Sequence, residues 1–328
     1  MISTKTTKAA DPAKGSQASQ AYQGDTYYGL QALKNGPYGW LVTTYFFVGG
    51  VASAAQFLAT VVDYFGKMED RVIVRAGRYI ALLGALISPF LLIADLHTPQ
   101  RWYNMLRIFR PTSSMSIGSW SLISFGTLSG FVAVGQALED LFGSTFGRWL
   151  ARLTSLPAAV AGGVVAIYTG TLLASTNIPL WTTAHPFLSS LFATSAASTA
   201  SAALSLAANA ENAGEDTRRR LTWFALIAGA AELLLMAIIG RRWRKAGVAA
   251  PVSRPTIGPV WALGAHGVGV IGPLAVHAYE MSSHSNRKLN SLAAVATLIG
   301  GFMLRAVFIF GGKRSGERPQ DYFQVTKW

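Results

Sequence analysis

One connection between two long apolar runs carries much of the chain's polar chemistry. The stretch DLHTPQRWYNMLRIFRPTSSMSIGSW, residues 95–120, holds one acid, one histidine, three arginines and three tryptophan or tyrosine rings. Asp95 and His97 lie at the end of the second apolar run, at headgroup depth or slightly below it. Ionisable groups at that depth are costly unless paired, and they usually mark ion, proton or ligand sites. We therefore expect this connection to bind protons or a ligand.

Two interpretations of Asp95 follow from the residues around it. A carboxyl beside an imidazole suits proton exchange, because both groups can be tuned toward neutral pH. Alternatively, Asp95 forms a structural ion pair with Arg101, two positions beyond Pro99. The aromatic residues of the connection are also typical of a membrane interface. Arg107 and Arg110 fit a loop that faces solvent or a partner, and a Ser or Thr at 111–116 is expected to cap the third long helix.

The elements that position these residues are membrane spans. The chain has 328 residues, of which 51% are hydrophobic and only 13% charged, too few for the surface of a soluble fold. Apolar runs of about 20 residues, the length of a membrane-crossing helix, recur along it. We predict eight spans: 39–63, 73–96, 117–141, 156–178, 184–208, 220–240, 257–279 and 290–311.

The spans divide the chain into a polar amino-terminal arm (1–35), a transmembrane domain (36–312) and a short polar tail (313–328). The first span carries a small-residue patch around Gly49 and Gly50 that predicts close helix packing. The fifth is nearly all Ala and Ser, and we expect it inside the bundle. Pro179 and Pro186 are expected where helices begin or end. Lys and Arg are slightly more numerous on the membrane side that carries both termini than on the opposite side, which weakly favours cytoplasmic termini.

Charge and cysteine content exclude several functions. The net charge of +13 is spread over short loops and both tails, whereas nucleic-acid binding requires one basic face. With no cysteine, the chain holds no disulfide, cysteine-ligated zinc or iron–sulfur cluster. His266 and His277 share one span, about 16 Å apart by helical rise, so they cannot ligate the same iron. A haem held by histidines of different helices stays open as an alternative.

Several motifs resemble the NrfD family, the membrane subunits of the polysulfide reductase type. In that family the second helix ends in Asp-Leu-Gly-x-Pro, and a Pro-x-Ser-x-Met-Ser-x-Gly-Ser-Trp segment follows. The equivalents here are residues 95–99 and 111–120, with His97 in place of the glycine. Further matches are Gly49-Gly50, Tyr168-Thr169-Gly170 with Asn177-x-Pro179-Leu180-Trp181, and Gly300-Gly301 with Arg305. The resemblance covers all but about the first 30 residues.

The resemblance implies eight transmembrane helices built as two four-helix bundles in the bacterial inner (cytoplasmic) membrane. Such proteins anchor a ferredoxin-like subunit with four iron–sulfur clusters, which serves a catalytic subunit, often a molybdopterin enzyme. They exchange electrons with menaquinone or ubiquinone and carry no haem themselves. The chain is then not catalytic alone for the terminal substrate, and its partners are these subunits and lipid, not nucleic acid. Whether protons are also translocated stays open.

The resemblance also suggests roles for individual residues. Tyr168 is the first candidate for hydrogen bonding a quinone carbonyl, because a tyrosine hydroxyl donates and accepts; packing alone is the other interpretation. Asp95 and His97 are candidates for proton exchange, and Trp40 and Tyr45 for walls of the ring pocket. The start of the first helix offers Asn35, Trp40 and Thr44 where some relatives have Asn and His. Arg101, Arg107 and Arg110 are candidates for the partner dock.

A second polar set lies in the other half of the chain. It comprises Glu232, His266, His277 and Arg305, and opposite charges inside one bundle indicate an ion pair or a polar path. A structural Glu232–Arg305 pair is one interpretation, and a proton path with Asp95, Glu232, His266 and Arg305 is the other. Two alternatives to the quinone-reactive anchor are a stand-alone secondary transporter and a subunit of a larger haem-containing quinol-oxidising complex.

Overall fold

The structure, a computed structural model, describes residues 33, 34, 36, 38–282 and 286–326. The predicted arm at 1–35 therefore lies almost wholly outside the described residues, and so do Asn35 and His284. Within the described part all regular structure is helical, and eight helices are long and apolar enough to cross a membrane. This confirms the prediction of an all-α integral membrane protein with eight spans.

The helices follow one another with short connections. They are α1 Trp40–Phe65, α2 Arg71–Ala94, α3 Ser114–Phe142, α4 Thr145–Ala174, α5 Pro179–Ala184, α6 Phe187–Ala210, α7 Glu215–Lys245, α8 Ala250–Ser253, a π-helix Val260–Ile271 that continues into α9 Gly272–Ser282, α10 Arg287–Gly316 and α11 Pro319–Val325. Two 3₁₀-helical segments, Met68–Asp70 and Pro99–Leu106, flank α2. We call the end where α1 begins and α10 ends the terminal face, and the opposite end the distal face.

Several helix ends differ from those predicted. The fourth span was expected at 156–178, but α4 begins at Thr145 and ends at Ala174. Its first turns carry Arg148 and Arg152, whose apolar stems can lie along the helix while the charges reach the headgroups. Apolar content alone therefore misplaced this helix toward the carboxy terminus. The predicted starts at prolines are confirmed, since α5 begins at Pro179 and α6 directly follows Pro186.

Two four-helix bundles share a central seam. α1–α4 pack against one another, and α6, α7, α9 with its π-helix, and α10 form the second group. α1 and α6 connect the two groups: 72% and 67% of the residues in their most apolar stretches are buried, against 33% in α2 and α7. The predicted interior position of the Ala- and Ser-rich fifth span, α6, is confirmed.

Small residues let α1 and α2 approach closely. A Cβ at Gly84 of α2 would lie 2.4 Å from the Cβ of Ala52, and one at Gly77 would lie 2.7 Å from that of Ala59. Gly49 and Gly50 of α1 are also buried. The small-residue patch of the first span thus serves helix packing, as predicted.

The carboxy-terminal residues fold back onto the terminal face. In α11 Asp321 is buried, accepts a hydrogen bond from Ser315 at 3.0 Å and pairs with Arg318 at 3.2 Å. Burial raises the pKa of Asp321, and the charge of Arg318 opposes that rise. The tail up to residue 326 therefore includes a packed helix.

Candidate functional site

Two tyrosine hydroxyls meet inside the terminal half of the bundle. Tyr45 of α1 donates a hydrogen bond to Tyr168 of α4 over 3.4 Å, and both side chains are buried, with exposed fractions of 1% and 7%. They belong to one apolar cluster with Leu122 of α3 and Phe46 of α1. The structure thus brings together Tyr168, a candidate partner for a quinone carbonyl, and Tyr45, a candidate wall of the ring pocket. A buried hydroxyl pair of this kind can donate to and accept from a polar ligand.

Gly118 of the Ser-Ile-Gly-Ser-Trp segment fixes the position of the Tyr168 ring. A Cβ at Gly118 would lie 2.2 Å from Cε2 and Cζ of that ring, too close for any real contact. The ring therefore lies directly against the α3 backbone, which only glycine allows. Ser113 caps α3, as predicted for a Ser or Thr here, by accepting a hydrogen bond from the Ser116 amide.

Tyr38 lies near both this tyrosine pair and Asp95. Its ring is 6.0 Å from that of Trp181, and its hydroxyl interacts electrostatically with Tyr168 and with Asp95. Burial, followed by the charge of Asp95, raises the pKa of Tyr38. Asp95 ends α2 at the terminal face, and a Cβ at Gly39 would lie 4.0 Å from its Oδ1. Tyr38 and Asp95 thus lie between the terminal face and the buried hydroxyls, close enough to influence one another electrostatically.

The surroundings of Asp95 favour its neutral form. Burial raises its pKa, while the charges of Lys313 and His97 oppose that rise. His97 is exposed. No ion pair within 4.0 Å joins Asp95 to Arg101 among the residues the structure describes, so the structural pair considered above is not formed. The carboxyl is thus free of a fixed counter-ion on its own loop.

The structure does not bring Trp40 to the tyrosines. Its side chain is 59% exposed and packs against Phe310 and Phe302 of α10, with ring centroids 4.5 and 6.2 Å apart. Trp40 therefore lies on the outer seam between α1 and α10, on a different side of α1 from Tyr45. This position is typical of an interfacial tryptophan.

An apolar pocket lies under the Pro99–Leu106 segment. It has a volume of about 60 Å³ between α2 and α3 and is lined by Leu92, Trp102, Met105, Ser119 and Leu122, among others. Leu122 also packs in the cluster that holds both tyrosines. The pocket therefore lies against the same turns of α3 as the Tyr168 ring, since Ser119 lines the pocket and the adjacent Gly118 contacts that ring.

A wider groove of about 810 Å³ runs along the other side of α3, between α3 and α4. It is lined by Trp120, Ser124 and Pro157, among others, and its surface is mainly apolar. The indole N–H of Trp120 has no hydrogen-bond acceptor in the described part of the chain. The motif tryptophan thus presents an unused donor beside this groove.

Arg101, Arg107 and Arg110 are all exposed at the terminal face. None of them forms an ion pair with any described residue. Three unpaired cations on one loop are available to an acidic partner surface.

Near the middle of the second bundle, Ser195 of α6 lies close to two buried charged side chains. Arg305 of α10 donates to Ser195 Oγ and, over 3.0 Å, to the carbonyl of Gly301. The carboxyl of Glu232 on α7 interacts electrostatically with the same Ser195 and with Ser198, without a hydrogen bond of 3.5 Å or less to either. Glu232 and Arg305 are 3% and 1% exposed. They interact electrostatically without a direct ion pair within 4.0 Å.

The fourth proton-path candidate, His266, contacts different residues from those around Glu232 and Arg305. Its Nδ1 is 2.9 Å from the carbonyl oxygen of Trp261, and the two rings meet edge to face at 4.3 Å. This contact follows from the π-helix, which places residues five apart on one side. No described contact joins His266 to Glu232 or Arg305.

A comparison with known protein families identifies the family of the chain. The model of the family described as polysulphide reductase, NrfD matches residues 30–314, most of the chain. The chain belongs to the NrfD family. No curated protein matches it. As an NrfD protein it is a multi-pass membrane subunit of a respiratory oxidoreductase complex, and the resemblance identified from its motifs is confirmed.

Three features of this NrfD chain were not predicted from the sequence. Tyr38 was missed, although the Tyr-Gly-Trp that precedes α1 carries an aromatic signal. A buried Arg78 near the distal face pairs with Asp63 at 3.0 Å and donates to Gln136 at 2.7 Å. The third feature is a polar row from His277 to the distal face. Charged or amide residues that interrupt apolar runs were the available signal, but their partners come from other helices.

Proposed function

We propose that this NrfD chain exchanges electrons between membrane quinone and a docked iron–sulfur subunit. The carrying observation is the buried Tyr45–Tyr168 pair, with Tyr38 interacting electrostatically with both Tyr168 and Asp95, and with an apolar pocket against the same turns of α3. A quinone headgroup requires hydrogen-bond partners for its carbonyl oxygens, apolar walls and a route for protons. The residues present supply all three in the terminal half of the bundle.

Each side chain has a role that its position allows. When bound, quinol supplies two electrons and two protons per oxidation, and the reverse reaction takes them up. Tyr168 hydrogen-bonds one carbonyl or hydroxyl oxygen of the headgroup, and Tyr45 orients the Tyr168 hydroxyl. Tyr38 connects that hydroxyl to Asp95, which exchanges the proton with water at the terminal face. His97, exposed next to Asp95, relays protons to or from the surface.

The proposal requires a partner subunit that holds the iron–sulfur clusters. It has no cysteine, so iron–sulfur clusters must belong to another subunit. The exposed Arg101, Arg107 and Arg110 form the dock for a ferredoxin-like subunit with four clusters, which connects to a catalytic subunit such as a molybdopterin enzyme. In the same proposal the complex lies in the bacterial cytoplasmic membrane.

Glu232, Ser195, Arg305 and His266 belong to a proton path in the second bundle.

Replacing Gly118 with alanine is expected to lower quinone-dependent electron transfer at least about tenfold, because the new methyl group displaces the Tyr168 ring and its hydrogen bond. The measurement is steady-state quinol oxidation by the purified complex. Gly130→Ala on the same helix is the matched control, because no atom lies within 4 Å of its Cβ position. Equal rates in the two variants would show that the ring position is irrelevant to the reaction.

Asp95→Asn is expected to lower the rate at least about tenfold and to remove one limb of its pH profile. Asp95 accepts a proton only as a carboxylate, so quinol oxidation rises with pH through its pKa, which burial raises above the ordinary value. Asparagine cannot titrate, and its profile should lose that acidic limb. The rate is measured from pH 5 to 8 in both proteins. An unchanged profile would assign proton exchange to another group.

The proposal is tested by purifying the protein in mild detergent from its native host. Mass spectrometry identifies co-purifying chains, and extraction quantifies bound quinone. A stoichiometric iron–sulfur protein together with quinone is the expected result. A quinone-free homo-oligomer would overturn the proposal and favour a transporter, whereas additional haem subunits would place the chain in a larger quinol-oxidising complex.

A further inference from the structure

A polar row leads from the distal face into the second bundle. His277 and Glu280 of α9 are both buried, and His277 Nδ1 lies 3.6 Å from Glu280 Oε2. Asn290 of α10, also buried, donates to the same carboxylate oxygen over 2.8 Å. Asn209, at the distal end of α6, in turn donates from its side-chain amide to Asn290 Oδ1 over 3.0 Å. Three different helices therefore contribute to one row that begins at the surface.

Several atoms of this row have no hydrogen-bond partner in the described part of the chain. They are His277 Nδ1, Glu280 Oε1 and Asn209 Oδ1. Leaving buried polar atoms without partners destabilises the fold, because they lose their hydrogen bonds to water. Such groups are retained where water or a mobile proton satisfies them.

A small cavity continues the row toward the membrane centre. It has a volume of about 10 Å³ and is lined by His277, Ser198, Ser201 and Thr297, together with glycines of α7 and the π-helix. This volume is about the minimum for one water molecule, and the hydroxyl and imidazole groups supply its polar partners. Gly229 and Gly269 in the wall let neighbouring helices approach closely, since a Cβ at Gly269 would lie 2.6 Å from the Gly300 Cα.

The far wall of the cavity reaches the central charges. Ser198 lines the cavity, and its hydroxyl interacts electrostatically with the buried Glu232 carboxyl. Glu232 also interacts electrostatically with Ser195, which accepts a hydrogen bond from Arg305. Titratable or hydroxyl groups therefore follow one another from the distal face to the middle of the bundle.

We propose that Asn209, Asn290, Glu280 and His277 form a proton-uptake path from the distal face to Glu232. Water at the distal face delivers a proton to the buried Glu280 carboxylate, which Asn290 orients by its hydrogen bond, and Glu280 passes the proton to the His277 imidazole. One water in the cavity and the Ser198 hydroxyl relay it to the Glu232 carboxylate. Each step breaks one bond to hydrogen and forms another, with no change in oxidation state. The inference rests on the proposed function, because quinone turnover supplies the energy for net movement.

The test uses the whole purified complex in sealed liposomes, with quinol oxidation started by an external electron acceptor for the catalytic partner. Proton movement and electron transfer are recorded together with a trapped pH dye and acceptor absorbance. Glu280→Gln keeps an acceptor oxygen for Asn290 but cannot carry a proton. We expect it to retain electron transfer within about twofold when an uncoupler is present, and to lose at least tenfold in protons translocated per electron. His277→Gln should show the same separation.

Glu211→Gln is the matched control, because Glu211 is an exposed carboxylate at the same distal face. It should keep wild-type proton and electron rates. Full translocation in both Glu280→Gln and His277→Gln would overturn the uptake path. Quinol oxidation by the wild type without any translocation would overturn it too, yet leave the quinone function standing. A wild-type complex with no quinol oxidation would instead overturn the proposed function.

Discussion

Tyr168→Phe is expected to lower quinol-dependent electron transfer by roughly 10- to 100-fold, the equivalent of about 1.5–3 kcal/mol for one lost hydrogen bond in a dry site. The hydroxyl is buried beside an apolar pocket, so no water replaces it there. The ring stays against Gly118, because phenylalanine keeps its shape. The measurement is the rate of quinol oxidation by the purified complex over a range of quinol concentrations.

Three comparisons make this prediction specific. Tyr45→Phe should have a smaller effect, because Tyr45 acts through Tyr168, and the double variant should resemble Tyr168→Phe. Tyr279→Phe is the matched control, since Tyr279 is 58% exposed near the distal face and should retain the wild-type rate. An unchanged rate in Tyr168→Phe would leave only a packing role for this residue.

Arg305→Met is expected to destabilise the protein by about 3–5 kcal/mol, because it leaves the buried Glu232 without its compensating charge. It also removes the donor to Ser195 and to the Gly301 carbonyl. The measurement is the midpoint of thermal unfolding in detergent, together with the yield of monodisperse protein. Arg314→Met on the same helix is the control. Its guanidinium is 58% exposed, and we expect a loss of less than about 1 kcal/mol.

The double variant Glu232→Gln, Arg305→Met separates charge from packing. Neutralising both partners removes the uncompensated charge, so most of the lost stability should return. Equal destabilisation in the single and double variants would mean that Arg305 acts through packing alone. Full stability in Arg305→Met would contradict the electrostatic interpretation.

The spans could be predicted from the sequence because lipid imposes a length and a polarity on each helix. The ends were less predictable, because polar turns extend beyond the apolar stretch. α7 begins at Glu215 and ends at Lys245, with arginines in both end regions, although its apolar part suggested 220–240. The interior place of α6 was predictable for a separate reason, since a helix of Ala and Ser gains little from lipid.

The site was predictable only where one motif supplied it. Tyr168 and Gly118 stood in recognisable segments, but their contact joins α3 to α4 across 50 positions of sequence. The Tyr38–Asp95 interaction and the His277–Asn209 row depend on which helix faces meet, which no single helix reveals. Trp40 shows the same limit from the other direction, because its depth in the sequence did not reveal that it packs on α10 and not beside Tyr45.

The central claim is tested most directly by the redox state of the partner's iron–sulfur clusters in the purified complex. The clusters are followed by rapid-mixing absorbance and by electron paramagnetic resonance after addition of a quinol or a quinone analogue. The account predicts that wild type and Tyr279→Phe exchange electrons at equal rates, and that Tyr168→Phe is at least about tenfold slower in the same assay. Cluster reduction or oxidation that is equally fast in Tyr168→Phe, or in complex stripped of this subunit, would contradict it.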